Sequence, residues 1–157
     1  GIITYGIGDQ AQLLGLKPVM TLKSVIGVVK DYDPDTTVSY GRTFRTGRPS
    51  RIGVLPIGYA DGFHRVLSNQ WQVWTPYGTA PIAGRICMDM CMIDLTGLPQ
   101  VGEGDEVEIF GPHNSVNEAA KLAGTISYEL TCAVSKRVPR IYKKDGQETA
   151  RELLLRG

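Results

Sequence analysis

A chain of 157 residues is long enough for one domain with a real core and short for two. With 42% apolar and 21% charged residues, and no repeats or low-complexity tracts, it has the composition of an ordinary soluble globular unit. A formal net charge of +1 gives no electrostatic case for nucleic acid or an anionic membrane surface. No apolar run approaches the length of a membrane span, and the first residues carry neither the basic nor the apolar region of a secretory signal.

The opening GIITYG, residues 1–6, reads as a short apolar strand that begins abruptly, as though its preceding elements were missing. A Gly/Pro-punctuated connection then leads into an extended run at 19–30, where Met20, Leu22, Ser24, Ile26 and Val28 alternate with Thr21, Lys23, Val25 and Gly27. Tyr32-Asp33-Pro34-Asp35 signals a turn, and 38–44 a further short strand. Residues 52–57 are strongly apolar and break at Gly58-Tyr59-Ala60-Asp61-Gly62. Tracts at 70–75 and 80–95 flank Pro76-Tyr77-Gly78 and predict a hairpin, and another strand is expected at 106–110.

Helix is expected only late. Ser115-Val116-Asn117-Glu118 has the form of a capping box, with Ala119, Ala120 and Leu122 following and Gly124 as the stop. A second short helix begins near Thr125 or Ser127, and a strand follows at 140–143. The tail at 149–156 either pairs as one more strand or frays, and its Leu153-Leu154-Leu155 run argues for packing.

The run from Gly84 to Leu95 stands out, because Arg85 and Asp89 sit inside an apolar, strand-like stretch where unpaired charge is costly. It is a candidate site wall rather than plain core. Three cysteines, Cys87, Cys91 and Cys132, leave one unpaired in any disulfide scheme. Cys87 and Cys91, four apart in a strand, would share a face beyond bonding distance. With no C-x-x-C pair and no second close ligand pair beside His113, no metal is expected. The thiols read as buried groups in a reducing cytosol.

Four islands occur in sequence: V-S-Y-G-R-T-F at 38–44, P-I-G-Y-A-D-G at 56–62, G-R-I-C-M-D-M-C-M at 84–92, and I-S-Y-E at 126–129 with R-V-P-R-I-Y at 137–142. In this order and spacing they resemble the C-terminal β domain of alanine racemase, a pyridoxal-phosphate enzyme. GIITYG is similar to the last strand of that family's N-terminal (β/α)8 barrel. The resemblance implies a mainly β, barrel-like fold with two short helices at 19–157, preceded at 1–18 by a remnant of the barrel edge and a linker.

The resemblance also implies roles. Tyr40 matches a catalytic base that works opposite a lysine, on two faces of a substrate held as an imine with the cofactor, whose ring takes up the electrons when the α-proton leaves. A phenol ordinarily keeps its proton well past neutrality, so such a site must favour phenolate. Tyr59 resembles a tyrosine that narrows access to the pocket, and Asp61 is expected to order its turn. Met88 matches a residue whose backbone amide meets the substrate carboxylate, which leaves its side chain free to be apolar. Arg85 and Arg65 match charged residues further out along the substrate corridor, and Asp89 is expected to pair with a cation. Tyr128 matches a phosphate-binding phenol near a helix start, and Gly1 and Ile2 match main-chain phosphate contacts.

The family's cofactor lysine, and the arginine facing the pyridine nitrogen, belong to the barrel and have no counterpart here; Lys23, in T-L-K-S, is not in the Schiff-base motif. The expected function is that of a racemase C-terminal domain, inactive alone, in a cytoplasmic head-to-tail homodimer acting on L- and D-alanine. Tyr40 and Met88 would complete the neighbour's site, while Tyr128 would reach its own chain's cofactor. Serine is an alternative substrate, since pockets discriminate weakly against an added hydroxyl. A non-catalytic β module that docks or self-associates is the alternative function.

Overall fold

Two open antiparallel sheets share one apolar core in the computed structural model, which describes residues 1–153. In chain order the strands are β1 (Leu22–Val25), β2 (Val28–Tyr32), β3 (Thr37–Val38), β4 (Phe44–Arg45), β5 (Ser50–Leu55), β6 (Gln72–Thr75), β7 (Gly78–Pro81), β8 (Cys91–Asp94), β9 (Glu106–Phe110), β10 (Arg140–Lys144) and β11 (Gln147–Glu152). The helices are α1 (Asp9–Leu13), α2 (Val116–Ala123) and α3 (Ser127–Ala133). One sheet runs β1-β9-β6-β7 and the other β2-β5-β8, while β3 pairs with β4 and β10 with β11. The fold is mainly β as expected. Among the described residues, however, no ladder closes the two sheets into a barrel.

The core explains the alternation. Leu55, Cys91 and Ile93 from the three-stranded sheet meet Leu22, Val73, Ala80, Val107 and Ile109 from the other, all buried, while Ile52 packs in a smaller cluster with Val38 and Ala83. Each large apolar side chain so placed contributes about 1.5–3 kcal/mol relative to exposure. The apolar run at 52–57 overlaps β5, and the expected strand at 106–110 and the hairpin across Pro76-Tyr77-Gly78 are present. So is α2, stopped by Gly124 in the left-handed conformation at φ 68°. Its cap differs: Ser115 receives the Glu118 and Ala119 amides on its carbonyl, and its hydroxyl makes no capping bond.

Four expected strands are corrected. GIITYG forms a 3-10 turn, Ile2–Tyr5, held by local bonds from the Gly6 amide to the Ile3 carbonyl (2.9 Å) and from Thr4 Oγ1 to the Gly1 carbonyl (2.8 Å). The run at 19–30 is two strands in different sheets. Between them the Ile26 amide bonds Asp105 beside β9 and the Gly27 amide bonds Val54 of β5, so the chain changes partner at that point. The run at 38–44 is interrupted by a tight turn at Tyr40–Arg42. The run at 80–95 folds back on itself: Ile82 bridges to Ile93, the Ala83 amide bonds Met92 (2.8 Å), and the Cys87 amide bonds Met90 (2.9 Å). Residues 84–90 are therefore a loop between β7 and β8, and Cys87 and Cys91 share no strand face. Of the thiols only Cys91 is buried, with its titration pushed far upward by burial; Cys132 is exposed.

The tail pairs as β11, Leu153 is half exposed rather than packed, and Leu154 and Leu155 lie outside the described residues. No helix among the described residues is long and apolar enough to cross a membrane.

Candidate active site wall

Tyr40 is lifted out of the β3–β4 connection by backbone that most residues avoid. Ser39 adopts φ 66° and ψ 175°, Gly41 φ 72° and Arg42 φ 50°. A non-glycine residue in the Ser39 conformation costs on the order of 1–3 kcal/mol and persists only where its surroundings hold it. Here the Ser39 hydroxyl donates to the Arg85 carbonyl (2.7 Å) and lies 3.6 Å from Cys87 Sγ. The result is a tyrosine 75% exposed at the tip of a fixed turn.

The loop at 84–90 packs directly on that turn. Gly84, at φ 90°, has room for no side chain: a Cβ there would stand 2.7 Å from Ser39 Cβ and 2.8 Å from the Val38 carbonyl oxygen. Arg85 runs alongside Gly41, whose Cβ would lie 3.1 Å from the guanidinium Nε. Next along the rim is the turn at Tyr59–Asp61. Its Tyr59 and Ala60 amides donate to the Cys87 and Met88 carbonyls, both at 3.0 Å. Gly58 is pressed so close that a Cβ would fall 2.3 Å from both of those carbonyl oxygens. Tyr40, Arg85, Met88 and Tyr59 thus sit on interlocked loops, with Met88 53% exposed and Tyr59 also exposed.

Carboxylates and one arginine order the rim. Asp61 Oδ2 accepts the Gly58 amide (2.9 Å), as expected for a turn-ordering aspartate. Its Oδ1 accepts Arg137 Nε at 2.6 Å, and Arg137 Nη2 reaches Asp89 Oδ1, also at 2.6 Å. The cation expected for Asp89 is therefore Arg137. Sequence reasoning missed three anchors: Ser39, Arg137 and Asn69. Asn69 accepts the Gly84 amide on Oδ1 (2.7 Å) and donates to Thr43 Oγ1 (3.0 Å). Asn69 stands in the left-handed region at φ 58°, a conformation asparagine tolerates, and this is the signal its type offers. Arg65, exposed on the short turn Arg65–Leu67, is linked to the rim through Ser68, whose hydroxyl bonds the Arg65 carbonyl and accepts the Ile86 amide (3.0 Å).

The family pattern described as "Alanine racemase, C-terminal domain" matches residues 19–142. The chain belongs to this family. It is 46% identical over 155 residues to the alanine racemase of Clostridium perfringens, covering 94% of this chain and 40% of that protein. Alanine racemase 1 of Clostridium acetobutylicum is 47% identical with the same coverage. Among solved structures, the biosynthetic alanine racemase of Pseudomonas aeruginosa superimposes with a TM-score of 0.86 at 40% identity, over 92% of this chain and 41% of that one. The Bacillus anthracis alanine racemase with bound L-Ala-P gives 0.87 at 32% identity, over 98% and 41%. The chain spans about two fifths of the length of these relatives.

A second group of expected residues in this racemase domain comes together elsewhere. A Cβ on Gly1 would lie 3.8 Å from the Tyr128 hydroxyl, so the Gly1 backbone and this phenol meet at one place. Ile2 opens the turn beside it. Tyr128 lies in the first turn of α3, whereas the far end of that helix, at Ala133 and Val134, abuts Gly62 of the rim. The rim and the Tyr128 site are therefore at opposite ends of α3. Lys23 pairs with Glu106 at 2.9 Å on an exposed sheet edge. Among the described residues no group of three or more His, Cys, Asp or Glu side chains is placed to hold a metal.

Proposed function

We propose that this chain supplies the substrate-facing wall and one proton-transferring tyrosine of an alanine racemase that uses pyridoxal phosphate. The observation that carries the reading is Tyr40. A strained, side-chain-anchored turn presents a phenol to the outside, beside Met88, Tyr59 and Arg85, in a chain nearly half identical to alanine racemases. When bound, the cofactor delocalises the electrons left behind by the departing α-proton.

Tyr40 exchanges that proton on one face of the α-carbon, and a lysine outside this chain serves the other. The Met88 amide receives the substrate carboxylate, Tyr59 narrows the approach, and Arg85 and Arg65 line the corridor further out. Tyr128 and the Gly1–Ile2 backbone hold the phosphate. In the head-to-tail homodimer that the family resemblance implies, Tyr40 and Met88 complete the partner's site while Tyr128 serves its own chain's cofactor. The division of the chain at residue 18 follows from the same reading, with 1–18 the edge of a barrel domain.

The test is turnover by the full-length protein, loaded with pyridoxal phosphate and given L-alanine or L-serine. Formation of D-alanine at a clearly higher kcat/KM than D-serine supports the proposal. Absence of racemisation of either amino acid by a folded, cofactor-loaded dimer contradicts it.

A further inference from the structure

The wall is held by two sets of anchors that grip opposite ends of the loop at 84–90, one at Gly84 and Arg85 and the other at Cys87 to Asp89, and they divide its functional residues between them. The Tyr40 turn is fixed from within by Ser39 on the Arg85 carbonyl and by Asn69 between Gly84 and Thr43. The Tyr59 turn and the Met88 segment meet along a seam of two backbone bonds, and the Arg137 guanidinium spans that seam from outside. Arg137 comes from neither loop. It follows α3, in a turn where the Val138 amide bonds Ser135 (3.1 Å), and the Ser135 amide bonds the Asp61 carbonyl (3.1 Å).

Both Asp61 oxygens are consumed, one by its own turn's Gly58 amide and the other by Arg137, so the guanidinium acts on the geometry of the turn that carries Tyr59. Its second arm holds the carboxylate next to Met88. Charge-assisted bonds of this length are about twice as strong as neutral ones, and only a planar fork reaches two carboxylates at once. The Asp61 arm is the more sheltered, with side-chain exposure of 13% against 56% for Asp89. Hydrogen bonding to Asp61 and then Asp89 holds the Arg137 guanidinium even further up than an ordinary arginine.

We infer that Arg137 is a positioning residue that sets substrate affinity by locking the Met88 segment to the Tyr59 turn, without controlling the Tyr40 base. The inference rests on the proposed racemase reading. It names a kinetic division: loosening the clamp displaces groups that meet the substrate carboxylate and its approach, while the separately anchored phenol stays in place.

The experiment is steady-state racemisation of alanine by the full-length, cofactor-loaded protein and its Arg137→Met, Arg137→Lys, Asp61→Asn and Asp89→Asn variants, with thermal midpoints measured alongside. Arg137→Met is expected to raise KM roughly 10-fold while kcat stays within about 2-fold, the pattern of lost binding rather than lost chemistry. Arg137→Lys, which keeps the charge but can hold one carboxylate well, should recover part of the KM. Asp61→Asn should raise KM more than Asp89→Asn, and neither should add its full effect on top of Arg137→Met, because all three act through one network.

An unchanged KM in Arg137→Met, or a fall in kcat with KM constant, overturns the inference. If Arg137→Met fails to fold, Arg137→Lys and Asp61→Asn decide it by the same criterion. An inactive wild type removes the racemase reading itself, whereas an active wild type with an indifferent Arg137 removes only the role given to the clamp.

Discussion

Two polar clusters in this domain use the same chemistry to opposite ends. Under the four-stranded sheet, Glu108 is 4% exposed and spends its carboxylate inward. One oxygen accepts the His113 and Asn114 amides (2.8 and 2.9 Å), and the other meets His113 Nδ1 at 2.9 Å. Asn114 returns bonds to the Gln72 and Glu108 carbonyls, and the His113 ring stacks on Trp74 with centroids 3.8 Å apart. The Glu108 carboxylate and the Asn114 side-chain amide are both taken up within the knot. At the wall, Asp61, Asp89 and Ser39 are likewise spent on backbone and on Arg137, yet Tyr40, Tyr59 and Met88 remain turned outward. A cluster that satisfies itself stabilises the fold. One that satisfies its supports and exposes its aromatic and thioether groups is prepared for something else.

The contrast can be broken most severely at the knot. Glu108→Ala strands the His113 and Asn114 amide donors and takes away the partner of His113 Nδ1, and unmade buried hydrogen bonds are expensive, so stability should fall by on the order of 3 kcal/mol. Chemical denaturation measures it. The same variant, where folded, should keep the activity of the full-length protein, and a stable but inactive Glu108→Ala would blur the division between the two regions.

At the wall the effects should reverse. Ser39→Gly removes a strained non-glycine residue and one hydrogen bond together, so the change in stability should stay within about 1 kcal/mol, while activity drops as the Tyr40 turn loosens. Ser39→Ala keeps the strain and loses the bond, and should be destabilised by about 1 kcal/mol. Melting curves and turnover on both variants separate support from function.

The smallest effect expected is chemical. Alkylation of the folded chain, followed by mass spectrometry, should label exposed Cys132 first and leave Cys91 untouched, because burial holds its thiol neutral and out of reach. Rapid labelling of Cys91 would show that the core between the sheets opens readily.

Much of this was legible in the sequence where local pattern and tertiary packing agree. The apolar run at 52–57 that overlaps β5, the hairpin across Pro76-Tyr77-Gly78, and a short helix stopped by Gly124 are each specified by residues within a few positions. The site loops were misread as strands for the opposite reason. Ser39 and Arg42 hold positive φ only because neighbouring segments grip them, and neither residue type announces it. The run at 84–95 has a strand's apolar content, but its charges are partnered by residues far along the chain. Arg137 lies 76 positions from Asp61 and 48 from Asp89, a pairing that no local reading supplies. The resemblance in the four islands named the residues, and the coordinates supplied the interlocking of the loops that carry them.

The central claim is that Tyr40 moves a proton and does not merely decorate a turn. Its most direct test is Tyr40→Phe in the full-length, cofactor-loaded protein, following racemisation of L- and D-alanine together with uptake of solvent deuterium at the α-carbon. The account predicts a loss of racemisation of about 10²-fold or more, with the thermal midpoint unchanged, and deuterium uptake from one enantiomer suppressed far more than from the other. Near-normal racemisation with symmetric exchange in Tyr40→Phe would contradict it.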